Sequence, residues 1–242
     1  MKENVFFLLT LLLLIPAIYL LFQKMKSSEK YKKYTANDIK SFLSNKNIFL
    51  IDTREGKFSN LGYVKNSIIL PLVQDYDKWF PALIEDGSDI VLISDIDNYQ
   101  ESLKTTEKLG VNFILGYAIY DELIEDKTLN IEVAKYDENT KESLGQLVTD
   151  KKYILDIREE SEKAETGVVD GAHFIPLSTF RTTYTEIPKD EDVYIFCKGG
   201  GRSLSAMSYL KREGYTNNIY VMKGGISQTI KNNYPLVSSN KA

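Results

Sequence analysis

The chain has 242 residues, a length that suits two domains of about 100 residues each plus an extension. Hydrophobic residues make up 43% and charged residues 26%, the balance of packed cores rather than disorder; a net charge of −4 argues against a broad basic face and so against a nucleic-acid partner. One cysteine and one histidine exclude an intramolecular disulfide and a Cys/His zinc site, and any thiol chemistry must use Cys197.

The first element is apolar. Residues 5–22 carry no charge and break their apolar run only at Thr10, Pro16 and Tyr19. Eighteen helical residues rise about 27 Å, close to the hydrocarbon thickness of a bilayer, and a proline is tolerated in such a helix. A weak basic start, Lys2 before Glu3, and no small-x-small site after Ala17 favour an uncleaved membrane anchor over a cleaved signal peptide. Lys24, Lys26, Lys30, Lys32 and Lys33 then put the carboxyl-terminal bulk on the cytoplasmic side by the positive-inside rule, with export as the alternative. Residues 1–23 are expected to form the anchor and 24–33 a polar tether.

The rest of the chain carries one pattern written twice. Thr35 opens a helical stretch with apolar Ile39, Phe42 and Leu43; Thr140 opens another with Leu144, Leu147 and Val148. A buried-strand run, Ile48 to Ile51, ends in Asp52-Thr-Arg54-Glu55, and its counterpart Tyr153 to Leu155 ends in Asp156-Ile-Arg158-Glu159. Each copy then passes a glycine, Gly62 or Gly167, and a short apolar run to Pro71 or Pro176. A second apolar strand comes next, Ile90 to Ile93 and Val193 to Phe196, then a helix, then a third strand, Asn112 to Leu115 and Ile219 to Met222. Gly116 and Gly224-Gly225 are expected to close the copies. Continuous apolar strands alternating with helices predict an α/β fold, a central parallel sheet flanked by helices in each copy. The landmarks keep an offset of 103 to 108 residues, which argues for a tandem duplication with domains over 34–125 and 140–235 and a charged linker over 126–139.

The chemistry is expected in the second copy. Its central strand runs into Cys197-Lys198-Gly199-Gly200-Gly201-Arg202-Ser203, where a helix starts. Glycines at a strand-to-helix turn permit positive φ and let backbone N–H groups turn inward, and such groups at a helix N-terminus stabilise negative charge. A thiolate, or the persulfide built on it, suits that cradle, and Lys198 and Arg202 add positive potential. In the first copy Ser94 takes the cysteine position, with Asp95-Ile-Asp97-Asn98-Tyr99 after it, so the glycines are gone and two carboxylates would repel an anion.

These residues resemble the rhodanese family over about 35–232, in two copies. In the second copy the resemblance rests on Leu155-Asp156-Ile-Arg158-Glu159, Gly167 to Leu177, Cys197 to Ser203, and Val221 to Gly225. It implies two tandem rhodanese-like α/β domains, which the expected transmembrane helix would precede, a catalytic Cys197, an active-site loop over Cys197 to Arg202 with Ser203 opening the helix, and a silent first domain. Arg158 is the candidate anion-binding residue beside the loop, with a structural tie to Asp156 as the alternative. Related cysteine phosphatases look like Cys-x5-Arg, whereas Cys197 and Arg202 give Cys-x4-Arg, a loop better suited to sulfur than to a phosphate cage. His173 and Trp79 read as structural, since neither has the setting of a catalytic group.

The implied activity is sulfur transfer from a donor such as thiosulfate to a thiol or protein acceptor through a Cys197 persulfide, without metal or organic cofactor. The alternative is a membrane-tethered persulfide carrier, sensor or partner-docking module that does not turn over.

Overall fold

The computed structural model describes residues 30–55, 62–72 and 75–238. The expected anchor at residues 5–22 lies outside them; among the described residues no helix is long and apolar enough to cross a membrane.

The first half runs β1 (Lys32–Lys33), α1 (Ala36–Phe42), β2 (Ile48–Asp52), β3 (Tyr63–Val64), β4 (Ile68–Ile69), α2 (Tyr76–Leu83), β5 (Asp89–Ser94), α3 (Tyr99–Lys108), β6 (Ile114–Ile119) and α4 (Tyr120–Leu123), with β7 (Ile131–Glu132) after it. The second runs β8 (Lys135–Asp137), α5 (Lys141–Thr149), β9 (Tyr153–Asp156), α6 (Glu160–Thr166), β10 (His173–Phe174), α7 (Phe180–Thr183), β11 (Val193–Phe196), α8 (Gly201–Arg212), β12 (Ile219–Met222) and α9 (Gly225–Lys231). Both threonine starts form reciprocal caps. Thr35 exchanges hydrogen bonds with Asp38, and Thr140 with Ser143, so each opening helix satisfies donors that would otherwise be orphaned.

Each half builds a five-stranded parallel sheet. The first is ordered β1-β6-β5-β2-β4, and the second, taken in the same direction, β8-β12-β11-β9-β10. The two orders are the same topology. All five residues of β2 are buried, which explains their unbroken apolar run up to Asp52.

Three expectations are corrected. Lys32 and Lys33, placed in the tether, form the edge strand of the first sheet, in register with Gly116 and Tyr117. Lysines suit that position, because an edge strand is exposed and charge discourages pairing with another chain. The stretch 126–139, expected as a linker, is ordered: β7 pairs with β3 of the first half and β8 is the edge of the second sheet. Gly116 does not close the first copy. It lies inside β6, where a Cβ would sit 2.0 Å from the Lys32 carbonyl oxygen, so the glycine is required by the approach of β1. Strand register pairs Gly116 with Val91 and Tyr220 with Tyr194, which makes Tyr120, not Gly116, the counterpart of Gly224.

The halves share a core. Helix α8 is buried on nearly all sides, through Ser203, Ser205, Ala206, Met207, Ser208, Tyr209, Leu210 and Arg212, as expected of a helix with no solvent face. Its outer side packs on the first half. The Ser208 hydroxyl accepts the Ile69 N–H at 2.9 Å, closing the open edge of β4. Arg212 donates to the Lys46 carbonyl at 2.7 Å and lies over the Phe49 ring at 3.8 Å.

Candidate active site

Strand β11 is central in its sheet, and its last residue, Phe196, pairs with Asp156 of β9. Cys197 is therefore the first residue past the carboxyl edge, where open parallel sheets place their ligand crevice. Residues 197–200 turn the chain into α8. Gly200 has φ +103°, a conformation a side chain would strain, and its N–H donates to Cys197 Sγ at 3.1 Å. Of the three glycines in the loop, Gly200 is the one with positive φ; a Cβ on Gly199 or Gly201 would meet open space. The thiol is 1% exposed.

A second turn holds this loop from behind. The N-terminus of α9 presents Ile226 N–H to the Cys197 carbonyl at 2.9 Å and Ser227 N–H to the Lys198 carbonyl at 3.1 Å. Each peptide is planar and trans, so fixing these carbonyls turns the Lys198 and Gly199 N–H groups to the opposite side. Gly225 makes the contact possible: its φ is +54°, and a Cβ there would lie 2.1 Å from the Cys197 carbonyl oxygen.

The charges are arranged differently from the sequence expectation. Lys198 is exposed, but Arg202 forms a two-pronged ion pair with Glu162, both contacts at 2.6 Å. Burial works to raise the Glu162 pKa, yet the Arg202 guanidinium and the Glu159 N–H outweigh it and bring the carboxyl down to about 2 from an ordinary 4.5. Burial likewise opposes the Arg202 cation, and Glu162 together with the nearby Cys197 sulfur raises its pKa instead. The Arg202 guanidinium also lies 5.3 Å from the centre of the Trp79 ring, a residue of α2 in the first half. Ser203 is fully buried, and its hydroxyl has no hydrogen-bond partner.

Arg158 is a structural tie. Its guanidinium is buried and donates to both Asp156 oxygens, to the Thr166 hydroxyl at 2.6 Å and to the Gly167 carbonyl at 2.9 Å. With its donors committed to protein oxygens, it does not act as an open anion-binding arm. Arg54 repeats the arrangement in the first half, on Asp52 and the Gly62 carbonyl. His173 stacks on Tyr153 with ring centres 4.0 Å apart, at the sheet edge on β10. Ser94 is fully buried and shares a hydrogen bond with Ser102, which in turn bonds Thr53.

Sequence reasoning missed Glu162, the contact of Trp79 with Arg202 and the bracing role of Gly225. Glu162 lies 40 positions before Arg202, and Trp79 belongs to the other half, so no spacing rule links them to the loop. The Gly224-Gly225 pair was visible, but its contact with the Cys197 carbonyl is a tertiary fact.

The family model for a rhodanese-like domain matches residues 140–232. A sulfurtransferase of Allochromatium vinosum is 36% identical over 99 residues, covering 40% of this chain and 91% of that protein. The uncharacterized protein YqhL of Bacillus subtilis is 38% identical over 78 residues, covering 32% of this chain and 60% of its own length. Among solved structures, a rhodanese-related protein from Thermoplasma volcanium is 27% identical, with a TM-score of 0.39 over 43% of this chain and 99% of that one. The chain belongs to the rhodanese family.

Proposed function

We propose that the protein is a sulfurtransferase that carries sulfane sulfur on Cys197. The observation that carries this reading is the single thiol at the carboxyl edge of the sheet, accepting the Gly200 N–H in a loop whose carbonyls are tied back by α9. A persulfide needs what that loop offers: hydrogen-bond donors at a helix N-terminus and no fixed carboxylate directly on the sulfur. The relative from Allochromatium, named a sulfurtransferase, supports the same chemistry.

With thiosulfate as donor the step balances without an oxidant. The Cys197 thiolate attacks the outer sulfur, a new S–S bond forms as the old one breaks, and the electron pair leaves with sulfite. An acceptor thiolate then attacks the outer sulfur of the persulfide and regenerates the Cys197 thiolate. In this reading the first half is catalytically silent and serves to cover α8, since Ser94 is held in a buried hydroxyl cluster. Residues 5–22 would anchor both halves to the cytoplasmic face of a membrane.

The test is intact-mass measurement after incubation with a sulfane sulfur donor. Wild type is expected to gain about 32 Da on Cys197, the mass of one sulfur atom, with sensitivity to thiol reductant. Cys197→Ser is expected to gain nothing and to lose turnover while keeping its fold. Mass gain or turnover surviving in that variant would sink the assignment.

A further inference from the structure

Beside the catalytic loop an open cleft is lined by Arg158, Glu162, Glu165, Thr166, Lys198 and Ser227, among others. Both arginines beside the loop are held by carboxylates. Arg158 is held by Asp156 and Arg202 by Glu162, and exposed Lys198 lines the same cleft as Glu162 and Glu165. The consequence concerns donor charge. Thiosulfate is a dianion, and bringing it to a thiolate places negative charges within a few ångströms of one another, which costs most where few unpaired cations stand by. A free guanidinium at Arg202 would offset that repulsion with a planar two-donor fork fitted to an oxyanion. Here Glu162 already occupies the fork through both oxygens at 2.6 Å.

We infer that Glu162 is a specificity-determining residue: by occupying the Arg202 fork it turns the site away from dianionic donors and toward organic persulfides, R–S–SH, whose leaving group is a thiol. This inference rests on the sulfur-transfer reading and names its donor class. Glu162 acts through Arg202, so it is a positioning residue rather than a catalytic one. The step with this donor also balances. The Cys197 thiolate attacks the outer sulfur of R–S–SH, the Cys197–sulfur bond forms as the R–S–S bond breaks, and the electron pair leaves on R–S⁻. The proton passes to that leaving thiolate, giving the Cys197 persulfide anion and R–SH. The remaining anion bears one charge, which the Gly200 N–H and the α8 N-terminus are placed to meet. Trp79, 5.3 Å from the guanidinium, gives the ion pair an aromatic floor supplied by the first half, so the discriminating pair is assembled across both halves.

The test compares sulfur loading of Cys197, by intact mass and by steady-state kinetics, with thiosulfate and with 2-hydroxyethyl persulfide, on wild type, Glu162→Gln and Glu162→Asp. Wild type is expected to load from the persulfide at least about tenfold more efficiently than from thiosulfate, with little loss of the thiosulfate rate as salt is added. Glu162→Gln frees the guanidinium's charge. Its kcat/KM for thiosulfate is expected to rise by about tenfold through KM, and to fall steeply with salt, while the persulfide rate moves by a few-fold at most. Glu162→Asp should restore the wild-type preference. A merely structural ion pair would lower both donors alike in Glu162→Gln, and that result overturns the inference. So does a wild type that prefers thiosulfate, an outcome readable even if Glu162→Gln fails to fold. Failure of both donors to load wild type would instead overturn the sulfur-transfer reading, and this inference with it.

Discussion

At the scale of single residues, the site depends on which charges are already paired. Arg158 and Arg202 both stand near the loop, and both are committed to carboxylates, Asp156 and Glu162. The Arg158 pair is buried, so removing either partner would strand a charge at a cost of about 3–5 kcal/mol. The Glu162 pair is partly exposed and makes a pH prediction. Its carboxyl is depressed from 4.5 to about 2, so its stabilisation is fully present above pH 4.5 and is lost as pH falls through about 2. Urea midpoints measured against pH should therefore separate wild type from Glu162→Gln above pH 4.5, and the gap should close as pH approaches 2. A gap that stays constant across that window would show that the charge of Glu162 contributes nothing.

Between elements, the decisive contact is that of α9 with the loop after β11. Two helix-terminal N–H groups meet two loop carbonyls, which satisfies donors that a helix start leaves open while orienting the loop peptides. Gly225 is the residue that lets the two backbones meet. Gly225→Ala combines a strained φ of +54° with a Cβ 2.1 Å from a carbonyl oxygen, so a stability loss of at least about 1–3 kcal/mol is expected, together with slower sulfur loading of Cys197. Gly199→Ala is the informative contrast. Its added methyl meets nothing, and its stability should stay within about 0.5 kcal/mol of wild type. Thermal melts of the two variants decide the matter: equal effects would mean that loop glycines matter only in general, not through this contact. The first half lacks the device. By strand register Tyr120 and Asp121 stand where the second has Gly224 and Gly225, and the Tyr120 ring lies 3.2 Å from the Arg54 guanidinium.

For the whole molecule, the two sheets are joined through α8. One cluster of buried residues runs from Phe49, Ile68 and Trp79 of the first half to Leu177, Met207 and Leu210 of the second. The protein should consequently melt in a single transition rather than one per half. Ser208→Ala probes the joint. It removes the acceptor for the Ile69 N–H and leaves that buried donor unpaired, at a cost of about 1–3 kcal/mol, or a fall in Tm of several degrees. If the halves were independent, calorimetry would show two transitions and Ser208→Ala would move neither by that amount.

Local sequence determined much of this. Apolar runs ending in Asp52 and Asp156 specified interior strands, because a strand covered on both faces must be apolar throughout. Thr35 and Thr140 marked helix starts through caps that need only neighbouring residues. Cys197 was singled out by being the one thiol, set in glycines between a strand and a helix. What the sequence left open lies in contacts between distant segments. The edge strands at Lys32–Lys33 and Lys135–Asp137 are short and charged, and they become strands only because β6 and β12 offer them partners. By sequence Arg158 fits an anion binder and a tie equally well; in the fold Asp156, Thr166 and Gly167 take its donors. Arg202 carries a positive charge in any reading of the sequence. That this charge is held by Glu162 rather than offered to a donor is decided by the packing of α6 against the start of α8, over a distance in the chain that no local pattern reports.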